Sequence, residues 1–84
     1  MEGVLSISTG NQIRMARAAL SWSVLELSKH SSVSVSTIKR IESENGLATA
    51  TPANIRLIIS TLEAAGIEFV GAPSDGPGVR LWQK

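Results

Sequence analysis

The amino-acid sequence predicts a mainly α fold, with four helices followed by a C-terminal β-hairpin. Three observations lead there. Short apolar stripes of helical period recur between residues 9 and 66, and Thr9, Ser23, Ser34 and Thr51 each stand where a helix needs a cap. After Gly66 the period changes to alternation. Between the two alternating runs, Gly71 to Gly78 holds three glycines and two prolines, the composition of a loop. The expected organisation is an arm over residues 1–8, a helical domain over 9–66 and a hairpin over 67–84.

In the first helix, Thr9 is the expected cap with Gln12 as its reciprocal partner, and Ile13, Ala16, Arg17 and Leu20 share one face. Ser21 to Ser23 break the pattern. Ser23 and Glu26 form a second capping box, opening a short helix that carries Leu27 and Ser28 inward and ends near His30. Ser31 to Ser34 form the next break. Ser34 caps a third helix, from about Val35 to Glu44, with Ile38 and Ile41 as its inward pair. Asn45-Gly46 is the expected stop, because both residues tolerate left-handed backbone. Thr51-Pro52 starts a fourth helix, striped by Ile55, Ile58, Ile59 and Leu62. Ile67-Glu68-Phe69-Val70 and Val79-Arg80-Leu81-Trp82 read as strands. The expected core gathers Leu20, Leu27, Val33, Ile38, Ile41, Ile55, Ile58 and Leu62.

Val24 to Ser43 is the informative segment. A helix-turn-helix needs a small residue inside its first helix, a turn-tolerant residue four positions on, and apolar residues that fasten the two helices together. Leu27, Ser28, Ser32, Val33, Ile38 and Ile41 occupy those places in order. The run LSWSVLELSKHSSVSVSTIKRIESENG resembles the Xre/Cro, lambda-repressor-like helix-turn-helix family, over roughly Gln12 to Leu62. The tail is similar to short members that end in a Gly-Pro-rich hairpin. The chain departs from the family pattern in three ways. Ser28 and Ser32 stand where alanine and glycine are usual. Val24 stands where a glutamine amide often meets a phosphate. Leu25 stands where a polar residue is usual.

The resemblance implies a sequence-specific regulator of transcription, a repressor, that binds double-stranded DNA by inserting helix 35–44 in the major groove. Ser34 would cap that helix, Val35 and Ser36 would face base edges, and Thr37 would suit a phosphate. Lys39 and Arg40, one turn on, would reach a base or the backbone. This matches groove chemistry, in which Arg and Lys donate to guanine and valine packs on a thymine methyl. A solvated helix face is the alternative for each. Arg14 is free for a phosphate. In the family, residues at the places of Arg17 and Glu42 form an ion pair that ties the first helix to the third, so a structural role outweighs DNA contact for Arg17.

Net charge is only +1, with eight Lys and Arg against seven Asp and Glu, and alone it says little about nucleic acid. Its distribution says more: from Ile13 to Arg40 the basic residues are Arg14, Arg17, Lys29, Lys39 and Arg40, against Glu26 alone. With no cysteine and a single histidine, His30, no metal site or cofactor is expected, and no serine has His and Asp partners for nucleophilic catalysis. The chain is not expected to be an enzyme. No signal peptide or membrane span is legible, so a cytoplasmic protein is expected.

Ile67, Phe69, Val79, Leu81 and Trp82 need cover, since a lone hairpin is marginal in water. The helices could cover one face. The expected arrangement is instead a homodimer joined through these residues on a roughly palindromic operator, with recognition helices about 34 Å apart. The competing function is a protein-interaction module of the same fold, antitoxin-like or anti-activator, meeting a regulatory partner through Val24 and Leu25.

Overall fold

The computed structural model describes residues 7–43, 46–72 and 74–82. Among them are five helices and a two-stranded antiparallel sheet: α1 (Asn11–Leu20), α2 (Val24–Ser31), α3 (Val35–Glu42), α4 (Gly46–Thr49), α5 (Pro52–Ala64), β1 (Ile67–Val70) and β2 (Gly78–Leu81). No helix among the described residues is long and apolar enough to cross a membrane.

The caps explain most of the helix starts. Ser23 and Glu26 make both halves of a capping box, the side chain of each accepting the other's backbone N–H. Ser34 Oγ accepts from Thr37 N, and Thr51 Oγ1 from Asn54 N, with Pro52 in the first turn of α5. α1 differs from expectation. Its first residue follows Gly10, and the Thr9 side chain makes no cap. Gln12 does reach back, its Oε1 accepting from Thr9 N at 3.0 Å and from Ser8 N at 2.6 Å.

The end of α3 also corrects the sequence reading. The helix stops at Glu42, with Ser43 in extended backbone, and Gly46 begins α4 instead of ending α3. Glu44 and Asn45, expected as helix end and stop, lie outside the described residues, as do 1–6 of the arm and 83–84 of the tail. Gly46 answers a demand for space. A Cβ there would stand 1.7 Å from the Arg40 carbonyl oxygen, so only glycine lets α4 turn this close beneath α3. Gly10 makes a second close approach, where a Cβ would lie 2.0 Å from the Ile41 carbonyl oxygen.

One apolar cluster holds the elements together: Ile7, Ile13, Ala16, Leu27, Val33, Ile38, Ile41, Ile55, Ile58, Ile59, Leu62, Ile67 and Phe69. Every residue of the expected core is in it except Leu20, which is half-buried at its margin. α2 packs on α3 and α5, and α1 packs on α3.

The hairpin lies on these same helices, β1 beside α5 and β2 beside α1, in the register Ile67↔Leu81, Glu68↔Arg80, Phe69↔Val79 and Val70↔Gly78. The chain's own helices therefore cover Ile67 and Phe69, two residues expected at a dimer interface. Val79 is half-buried. Leu81 and Trp82 stay open, at 41% and 57% exposure.

Candidate nucleic-acid interface

Three residues, Ser32, Val33 and Ser34, join α2 to α3. The chain turns through Ser32, whose φ of 65° is left-handed and whose N–H donates to Ser28 O at 2.9 Å. Serine carries a Cβ that this conformation disfavours. Two anchors hold the turn. Val33 is buried in the core, and the hydroxyl of Ser31, itself buried, accepts the Val33 N–H at 3.2 Å.

The start of α3 is a cluster of hydroxyls. Ser34 Oγ accepts from Thr37 N at 3.2 Å, donates to Thr37 Oγ1 at 2.8 Å and lies 3.4 Å from Ser36 Oγ. Ile38 and Ile41 have no exposed surface and fix the helix to the core. That leaves Ser36, Lys39 and Arg40 exposed on one face, at the i, i+3 and i+4 spacing that brings side chains together. Ser34 is exposed too, while Val35 and Thr37 are half-buried beside them.

Arg14 joins this region from α1. It is exposed and lines a cleft with Lys39, Val24, Arg17, Glu42 and Ser43, so the cleft receives two open cations from two different helices. Arg40 lies outside that lining. Val24 is half-buried against the core and does not form the exposed apolar pair with Leu25 that the sequence suggested. Leu25 alone is open, at 55% exposure.

Arg17 and Glu42 form a two-pronged ion pair, Nε to Oε2 at 2.7 Å and Nη2 to Oε1 at 2.9 Å. Arg17 Nη1 also donates to the Trp22 carbonyl at 3.2 Å. One guanidinium thus links α1, the turn before α2 and the end of α3. The hydrogen bonds to Glu42 raise the Arg17 pKa above its ordinary value, burial opposes this, and the Glu42 charge adds to the rise. A guanidinium so engaged is a strut, and it pairs the carboxylate that lines the cleft with Lys39 and Arg14.

Sequence reasoning missed Gln12 as a long-range tie. Its amide is fully buried and makes four hydrogen bonds, accepting from Ser8 N and Thr9 N and donating to Val70 O and Gly78 O. The capping pattern reveals only the local half. Ser31 looks like a loop residue in sequence, and Gly10 carries no signal beyond being glycine. His30 is exposed as expected, and its ring stacks on Trp22 at 4.5 Å between centroids. Among the described residues no three His, Asp or Glu side chains gather as a metal site would require. No family model matches the chain, and neither the curated proteins nor the solved structures contain a significant match.

Proposed function

We propose that this protein is a lambda-repressor-like helix-turn-helix regulator that reads double-stranded DNA with α3. The observation that carries the reading is the exposed face of that helix. Ser36, Lys39 and Arg40 stand together on it, with Arg14 beside Lys39, while α2 and the core hold the opposite side. A helix capped by a serine, seated by two isoleucines and carrying two cations suits the width and charge of the major groove. Lys39, Arg40 and Arg14 supply the phosphate attraction that a net charge of +1 cannot supply evenly over the surface. Regulation of transcription, by repression, follows from the resemblance of the run around α2 and α3 and from DNA occupancy.

The test is binding to mixed genomic fragments at low salt, followed by selection of preferred sequences from a random pool. Affinity that falls steeply as salt rises, with a recovered consensus, supports the proposal. A protein that ignores DNA at low salt overturns it.

One observation favours a second reading, the interaction module. Leu25 is more than half exposed on the helix preceding α3. If that reading holds, Leu25→Ser abolishes capture of a partner protein and leaves DNA affinity alone.

A further inference from the structure

We propose that the cavity between the start of α1 and the corner joining α3 to α4 binds a small organic carboxylate, anchored by Arg14. Its occupancy regulates the DNA-reading face, and that half of the proposal rests on the DNA reading. The binding half is tested without DNA, so the two can fail separately.

The cavity forms where two backbones approach a third. Gly10 brings the start of α1 against Ile41, and Gly46 brings the start of α4 against Arg40. A space of about 750 Å³ remains beside them, inside the range of about 300–1,000 Å³ usual for small-molecule sites. Small side chains border it, Ser8, Thr9, Ser43 and Ala48 among them, so it stays open. Leu47, packed against the core, joins Ala48 to give it an apolar wall.

The polar groups decide what it accepts. Glu42 borders the cavity, but both of its carboxylate oxygens already accept from Arg17. Ser8 Oγ donates to the Gly71 carbonyl, and Ser43 Oγ to the Arg40 carbonyl. Arg14, Thr9 and Asn11 also border it, and their side chains have no hydrogen-bond partner among the described residues. One guanidinium, one hydroxyl and one amide thus stand uncommitted beside an apolar wall. A guanidinium offers two parallel N–H groups that match a carboxylate. The ligand that uses both halves of the site carries a carboxylate on a short apolar body. Inorganic phosphate would meet the donors and leave Leu47 and Ala48 uncovered.

Arg14 couples this site to the DNA-reading face. On α1, Gly10, Arg14 and Arg17 follow at i, i+4 and i+7, along one side of the helix. Gly10 and Arg17 are both committed to the last turn of α3, and Arg14 between them is not. It borders both this cavity and the cleft that contains Lys39. A carboxylate on Arg14 neutralises one of the two open cations of that cleft. Ligand and DNA phosphate therefore compete for one guanidinium, and each must weaken the other by the same factor.

Isotope-labelled full-length protein is titrated with hexanoate and benzoate, and with hexanol and inorganic phosphate for comparison, while amide shifts are followed by NMR. Expected with the carboxylates is a saturable shift in the millimolar range, as ligands this small allow, confined to the surroundings of Thr9, Asn11, Arg14, Ser43, Leu47 and Ala48. Hexanol and phosphate should do little. Arg14→Ala should abolish the shift and Arg14→Lys should weaken it. Arg56→Ala, an exposed arginine on α5, should leave it unchanged. At constant ionic strength, saturating hexanoate should lower the salt slope of DNA binding by about one in the parent and not at all in Arg14→Ala. No saturable shift with either carboxylate, shifts scattered over the surface, phosphate as effective as hexanoate, or undiminished binding by Arg14→Ala overturns the site. DNA affinity that ignores bound hexanoate overturns the regulation. A protein that binds hexanoate and ignores DNA overturns the DNA reading and leaves the site standing.

Discussion

Gln12 Nε2 donates to the Gly78 carbonyl at 2.8 Å from a side chain with no exposed surface. The bond joins the first helix to the last strand, across 66 residues of chain. With the Val70 carbonyl and the two N–H groups that Gln12 accepts from, it makes the hairpin part of the helical body. Replacing Gln12 with alanine or leucine leaves those backbone groups without this partner. We expect a loss of at least about 2 kcal/mol by urea denaturation, since each unmet buried group costs about 1–3 kcal/mol. Hydrogen exchange of the β1 and β2 amides should quicken as well. Unchanged stability and unchanged exchange would show that water substitutes for the amide.

The Arg17–Glu42 pair predicts a non-additive cycle. Either Arg17→Ala or Glu42→Gln should destabilise by about 1–3 kcal/mol, below the full effect for a deeply buried pair because the side chains retain some exposure. The double variant should lose little more than the worse single one. Arg17 has a raised pKa, so its stabilisation is complete below the ordinary arginine pKa and is lost only as pH rises through the raised value. A chemical-denaturation series should therefore show no loss from this group between neutral and mildly alkaline pH. Additive single effects would mean that the two residues act separately.

Ser32 holds a left-handed φ of 65° with a Cβ in place. Ser32→Gly should raise stability by on the order of 0.5–1 kcal/mol, the relief of that conformation less the extra freedom glycine has when unfolded. A lower melting temperature for the glycine variant would show that the serine side chain contributes more than the strain takes away.

Ile38 has no exposed surface and seats α3 on the core. Ile38→Ala should cost roughly 2–5 kcal/mol. A melting temperature within a degree or two of the parent would place the inward face of α3 elsewhere.

If α3 reads DNA as proposed, the cations should divide by role. Arg14→Ala and Lys39→Ala should each lower the salt slope of binding by about one, with little change in the preferred sequence. Ser36→Ala and Arg40→Ala should weaken binding by about 1–3 kcal/mol per base contact and relax the preference locally. Unchanged affinity in both of the latter removes α3 from the groove.

The caps and stripes were legible because they are local. Ser23 with Glu26, Ser34 and Thr51-Pro52 mark helix starts through contacts three residues away. The inward isoleucines of α3 and α5 follow from the helical period alone. What escaped was set at long range. Gly46 resembles a helix stop in sequence, yet what decides its identity is the Arg40 carbonyl above it. Gln12 resembles half of a cap, and only the folded hairpin supplies its other two partners. Val24 and Leu25 are equally apolar neighbours, and the helix turn alone sends one to the core and the other to solvent. For the candidate interface, residue types and spacing were legible, while the meeting of Arg14 with Lys39 in one cleft depends on how α1 crosses α3.

Gly10 and Gly46 both press backbone against backbone on the last turn of α3. The C-terminal end of the helix is thereby fixed by close backbone contact, while Val33 and Ile38 seat its start on the core and leave one face open. Changes on that open face, at Ser36 above all, need not disturb either hold. If that face reads DNA, its preference can be rewritten one side chain at a time on an unaltered mount, whereas a single methyl group added at either glycine would collide with the backbone of α3.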